Sequence, residues 1–187
     1  EPTSVDWPTA RFAIAPASRT KTVRAGVVRQ PFFGQLDPDI EATVNAAIMV
    51  VRTISAEVRD VELPAGPPQS IVGPEAYAFH ASFLAKTPDQ YQPWTRERLK
   101  QAATIDTTAY IEARRDLDLA RRSINDVFRT IDVLVTPTTP IPPPTIEESV
   151  RSDPPPGGEV SLRNTRPFNA FGLPTISIPC GFNRAGL

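Results

Sequence analysis

Proline sets the layout of this chain. There are 22 prolines in 187 residues, where a soluble domain usually has about 5%. Each proline fixes φ at about −65° and removes a backbone donor, so it is kept out of helix interiors and central strands. Here the prolines gather at element boundaries and in one long loop, residues 137–156. Regular structure has to fit between them.

Asp37-Pro38 reads as a helix start, an acceptor side chain followed by proline at the first helical position. Ile40, Val44, Ala47, Ile48, Val51 and Ile54 then follow the 3.6-residue period as far as about Ala56. Strands flank this helix: Arg24–Val28 before it, and Glu57–Leu63, with alternating apolar residues, after it. Strand, helix and strand over about forty residues make a βαβ unit, and such a crossover implies a parallel pair. Residues 74–86 predict a helix with Pro74 in its first turn and Ala76, Phe79, His80, Phe83 and Leu84 on one side. Pro93-Trp94-Thr95 opens another, with Thr95 as cap and Leu99 and Ala102 inward.

Thr107 to about Thr130 is the longest periodic stretch. Tyr110, Ala113, Leu117, Ala120, Ile124, Val127, Phe128 and Ile131 form its apolar side. Glu112, Arg114, Arg115, Asp116, Arg121 and Arg122 form a solvated one. Asp132–Thr136 reads as a buried-type strand closed by Pro137, and Thr175–Ile178 as a last strand. The fold class is α/β. The organisation is an irregular segment over residues 1–22 followed by one body over residues 23–187.

Composition narrows the function. A hydrophobic fraction of 40% and a charged fraction of 22% fit a globular protein. The balance of 20 basic and 21 acidic residues leaves a net charge of −1. That gives no long-range field for nucleic acid or an anionic membrane, so neither is an expected partner. No apolar run approaches the ~20 residues of a membrane span. The opening Glu1-Pro2-Thr3-Ser4-Val5-Asp6 has neither an initiator methionine nor a signal-peptide pattern, and reads as the interior of something longer or as a start left by processing. A single cysteine, Cys180, can form no internal disulfide. That points to a reducing, cytoplasmic setting.

The search for self-contained chemistry finds little. A His/Cys metal site needs three or four ligands, and the chain offers only His80 and Cys180. A nucleophile–histidine pair would have to use His80, which reads instead as a helix-packing residue between Phe79 and Phe83. Cys180, in a Pro-Cys-Gly turn, reads as a small buried apolar residue. The nine glycines form no GxGxxG, GxxxxGK[ST] or GxSxG pattern. None of Lys21, Lys86 and Lys100 lies in a buried-type strand, where desolvation would suit a lysine base. No cofactor and no metal are expected.

Two blocks carry a family resemblance. One is Asp132-Val133-Leu134-Val135-Thr136-Pro137-Thr138-Thr139-Pro140. The other is Asn164-Thr165-Arg166-Pro167-Phe168-Asn169 continuing into Gly172-Leu173-Pro174-Thr175-Ile176-Ser177-Ile178-Pro179-Cys180-Gly181-Phe182. Both resemble the C-terminal half of amidase-signature enzymes. Arg24–Val28, Asp37-Pro38, Ala78-Phe79-His80 and Tyr91-Gln92-Pro93-Trp94-Thr95-Arg96 agree in order, so the resemblance covers about residues 20 to 187.

The resemblance implies a portion of a mixed β-sheet core flanked by helices, incomplete on its own. It implies hydrolysis of a small carboxylic amide through a serine acyl-enzyme, with a second serine as proton relay and a lysine as base. Those groups lie N-terminal to everything in this sequence, so no catalytic residue is assigned here and the chain alone is expected to be inactive; its strands would also lose neighbours, and such open edges predict a poorly folded or sticky isolated chain. The loop Thr165 to Asn169 tends to line the substrate site in the family. Thr165 would donate a hydrogen bond, Phe168 would form apolar wall and Asn169 would orient a polar group; the alternative is that Thr165 and Asn169 only satisfy backbone groups in a tight turn.

Glutamine-using members carry an acid where this chain has Leu162. That favours a stand-alone amidase, compatible with a homodimer, over a tRNA-dependent amidotransferase subunit. A third reading, of a different class, is a non-catalytic interaction module exposing the proline-rich loop.

Overall fold

The structure, a computed structural model, describes residues 17–66, 71–152 and 156–187. The irregular segment predicted over residues 1–22 lies outside the described residues as far as position 16. Beyond that point Ala17–Thr22 forms a 3-10 helix.

Three strands form a sheet in the order β2-β1-β3: β1 Arg24–Val27, β2 Glu57–Asp60 and β3 Val133–Val135. Both pairings are parallel, with Arg24 opposite Glu57 and Ala25 opposite Val133. The mixed sheet implied by the family resemblance is thus a purely parallel one among the described residues. The βαβ unit is as predicted, since α1, Pro38–Ile54, connects β1 to β2. Asp37 caps α1, accepting from the Asp39 and Ile40 amides at 2.9 and 3.3 Å. Val44 and Ile48 bury against Val27.

The central strand β1 is closed on both faces, with Ala25, Val27 and Val28 all fully buried. Gly26 has no room for a side chain. A Cβ there would stand 2.7 Å from Ile131 Cδ1 and 2.8 Å from Val61 Cγ2. Close approach of these two side chains across β1 is what this glycine permits.

The next helices are α2 Val72–Lys86, α3 Pro93–Ala102, α4 Thr107–Phe128 and, within the proline-rich stretch, α5 Ile146–Arg151. The long amphipathic helix is α4, which buries Ala113, Leu117, Ala120 and Ile124 and is capped by Asp106. Leu99 and Ala102 of α3 point inward as predicted. The cap of α3 is Gln92, not Thr95, because Pro93 with its preset φ already occupies the first turn. The apolar face predicted for α2 is only partly covered. Phe79 and Phe83 are exposed, while Ala76, His80 and Leu84, at i, i+4 and i+8, form the half-buried stripe.

The loop over residues 137–156 is not wholly irregular. Thr145 and Glu148 form a capping box that starts α5, and residues 153–155 lie outside the described set. Pro137 and Pro140 are buried, and the Pro140 carbonyl accepts from the Asp37 amide at 2.8 Å.

The strand predicted at Thr175–Ile178 pairs with no other strand among the described residues. An extended segment becomes a strand only when another backbone supplies its hydrogen bonds. Here the contact is a side-chain one, 3.0 Å between the hydroxyls of Thr138 and Ser177. Ile176 and Ile178 are exposed, and among the described residues both β2 and β3 are edge strands.

At the amino end of the sheet, Arg24 and Asp132 join β1 to β3. The guanidinium donates to both carboxylate oxygens, at 2.8 and 3.1 Å, and the Arg24 amide donates at 2.8 Å. These bonds, the Arg24 side chain first, hold the Asp132 carboxyl down from 3.8 to about 2. A carboxyl depressed in the folded state contributes stability above its unfolded value and loses it as pH falls through the folded one. In the native protein that carries this chain, the fall in urea-unfolding stability between about pH 4 and about pH 2 should be steeper than in its Asp132→Asn variant; equal slopes would contradict this role.

Candidate functional site

Open parallel sheets bind ligands outside the carboxyl ends of their strands. Two loops leave that end here. After β1 the chain runs through Val28 and Arg29 to a cis Gln30–Pro31 bond and a turn carrying Phe32. After β3 it runs through Thr136 to Pro137. Two short helices return to the same end, α6 Gly158–Leu162 and α7 Arg166–Phe171.

Asn164, between these helices, is 1% exposed. Its amide nitrogen donates to the Phe32 carbonyl at 3.1 Å and to the Pro137 carbonyl at 2.9 Å. Its oxygen accepts from Arg163 Nε at 3.2 Å. Helix α7 is fastened on two further sides. Phe168 stacks on Phe32 with ring centres 5.4 Å apart and packs beside Val28. Phe171 packs into Ala120 and Ile124 of α4, and Arg121 of α4 donates to the Ala170 carbonyl at 2.9 Å. Gly172 ends the helix at φ 71°, a left-handed cap that glycine adopts without Cβ strain.

The segment predicted as a loop, Thr165 to Asn169, is therefore mostly helical. The signals are present in the sequence: Pro167 in a first turn and Gly172 just past a last one. Thr165 stands at the N-cap position and its hydroxyl donates to the Leu162 carbonyl at 3.2 Å. Phe168 is interior, with 8% exposure. Asn169 is exposed on the outer side of the helix. The three candidates share one short helix and its cap at the carboxyl end of the sheet, but they face different surroundings. Asn164, which the sequence offers only as the first residue of the second block, is what joins them to the strands.

The remaining candidates resolve simply. His80 is half-buried, with Nδ1 3.0 Å from the Tyr91 hydroxyl, and ties α2 to the segment before α3. Cys180 is exposed, not buried, because the segment around it is uncovered. Lys21, Lys86 and Lys100 are all exposed, and Lys100 pairs with Glu97 at 2.9 Å. None has the desolvated setting a lysine base requires. Among the described residues no three His, Cys, Asp or Glu side chains converge on a metal-sized space, and no helix is long and apolar enough to cross a membrane. Two shallow surface cavities lie elsewhere, one beside Phe79, His80 and Tyr91, the other beside Pro64, Leu119 and Ser123. Neither touches Thr165, Phe168 or Asn169.

Phe168 and Asn169 separate interior from surface. Thermal or urea unfolding should show Phe168→Ala losing about 3–5 kcal/mol and Asn169→Ala staying within ~0.5 kcal/mol. Equal losses would contradict this placement.

The family model for amidases matches residues 1–187. An amidase of Pseudomonas putida is 34% identical, over 100% of this chain and 42% of its own length. A glutamyl-tRNA(Gln) amidotransferase subunit from Roseiflexus castenholzii is 29% identical, over 96% of this chain and 42% of its own. The chain thus spans well under half the length of the curated relatives it matches. Among solved structures, the allophanate hydrolase of Kluyveromyces lactis is similar with a TM-score of 0.74 at 20% identity, covering 89% of this chain and 28% of that one. The 6-aminohexanoate cyclic dimer hydrolase gives 0.70 at 24%, covering 96% and 43%. These structural likenesses show a shared fold, and with a family match over every residue the chain belongs to the amidase family.

Proposed function

We propose that this chain supplies scaffold and one wall of the substrate site in an amidase that hydrolyses small carboxylic amides through a serine acyl-enzyme. The match of the amidase family model to all of residues 1–187 carries this reading. The position of helix α7 supports it: the helix and its cap carry Thr165 and Asn169 at the carboxyl end of a parallel sheet, the end where such folds take ligands. The nucleophilic serine, the relay serine and the lysine base belong, in this reading, to the part of the relatives' length that the chain does not span. The chain alone then turns over no amide.

A glutamine-dependent amidotransferase subunit is the second reading, favoured by relatives of that name. Two features support the stand-alone amidase over it. Leu162 stands where the glutamine-using members carry an acid. The nearby carboxylate, Glu159, is already engaged by Arg166 at 2.6 Å and lies 3.8 Å from Arg98. Those guanidinium groups, Arg166 first, hold its carboxyl below the usual range. The interaction-module reading loses Pro137 and Pro140, which are buried, but keeps the Pro142-Pro143-Pro144 run, where Pro143 is exposed and its two neighbours are half-buried.

The test is ammonia release from simple amides by the native protein that carries this chain, beside the isolated 187-residue chain. A serine-directed fluorophosphonate should abolish the first activity and label a serine outside residues 1–187. Turnover by the isolated chain, or labelling of one of its own serines with loss of activity, would overturn the assignment.

A further inference from the structure

We infer that Asn164 is a positioning residue that sets which acyl groups the site accepts, an inference that rests on the amidase reading above. Among the described residues it is the polar side chain that lies buried, at 1% exposure. Burying an amide costs free energy unless its hydrogen bonds are made. Here they are made to particular places. Both donated bonds go to carbonyls just past the carboxyl ends of strands, Phe32 after β1 and Pro137 after β3. Prolines break the ladder at both points, Pro31 before Phe32 and Pro137 itself, and a proline has no N–H to give. The carbonyls are left for a side chain to satisfy.

One planar amide therefore fixes the separation of the two loops and the entry of α7 together. Thr165 is its immediate neighbour in the chain. Phe168 packs on the ring of the same Phe32 whose carbonyl Asn164 holds. An apolar residue of similar size would fill the space but would lose both bonds, leaving the Phe32 carbonyl only a 3.5 Å contact from Arg163, and would leave the loop spacing unset. Small displacements of a substrate-positioning element carry large kinetic effects, as a shift of about 1 Å can cost ~10²-fold in rate.

The experiment compares Asn164→Ala, which donates nothing, with Asn164→Ser, which keeps one donor, in the native protein that carries this chain. The readout is the ratio of kcat/KM for acetamide to that for benzamide, with KM and kcat resolved separately. The folded fraction cancels in this ratio, so a loss of stability alone leaves it unchanged. The ratio should move by about tenfold in Asn164→Ala, through KM more than kcat, with Asn164→Ser between it and the native protein. An unchanged ratio in both variants overturns the inference, and so does failure of both to fold, which would make the role purely structural. A native protein that turns over neither amide nor any other in a wider panel sinks the amidase reading instead, so the two failures are distinct.

Discussion

Strand β1 is buried on both faces and along both edges, and a strand in that position must have every backbone donor and acceptor paired. That requirement brings β2 and β3 to its two sides and forces a crossover on each. Helix α1 makes the first crossover, and α2, α3 and α4 with their connections make the second. Gly26 is the local expression of the same constraint, since the side chains of Ile131 and Val61 occupy the volume a Cβ would need. The Arg24–Asp132 pair then joins β1 to β3 at the amino end, and Asn164 joins the loops of the same two strands at the other.

The carboxyl end of the sheet is thus built differently from the amino end. An exposed ion pair tolerates movement and contributes modestly. A buried amide with all its bonds made does not tolerate movement, because every displacement leaves a desolvated polar group unpaired. In the proposed reading, the stiffer fastening stands at the end where the ligand would sit. Phe168 and Phe171 extend that fastening into two core clusters, so α7 is held by packing as well as by hydrogen bonds although it is only 6 residues long.

The legible parts of the fold are those whose signal is repeated. Helices α1 and α4 repeat an apolar face over several turns, and the βαβ unit follows from the strands on either side of α1. Helix α7 reads as a loop in sequence because six residues are too few for a period to emerge, although Pro167 and Gly172 mark both ends. Helix α5 is hidden by its proline-rich surroundings in spite of its Thr145–Glu148 capping box. Thr175–Ile178 has a strand's composition, but pairing depends on a neighbour, which composition does not supply. Asn164 stands within a recognisable motif, yet nothing local declares its work. Its partners are carbonyls 132 and 27 residues away in sequence, and no local pattern encodes that.

The most direct measurement is a crystal structure of the native protein that carries this chain, with a slowly hydrolysed amide bound. The ligand should lie beyond the carboxyl ends of β1 and β3, with Thr165 or Asn169 within about 3.5 Å of one of its polar atoms. A ligand bound at the amino end beside Arg24 and Asp132, or one reached by no part of residues 164–169, would contradict the placement of the site.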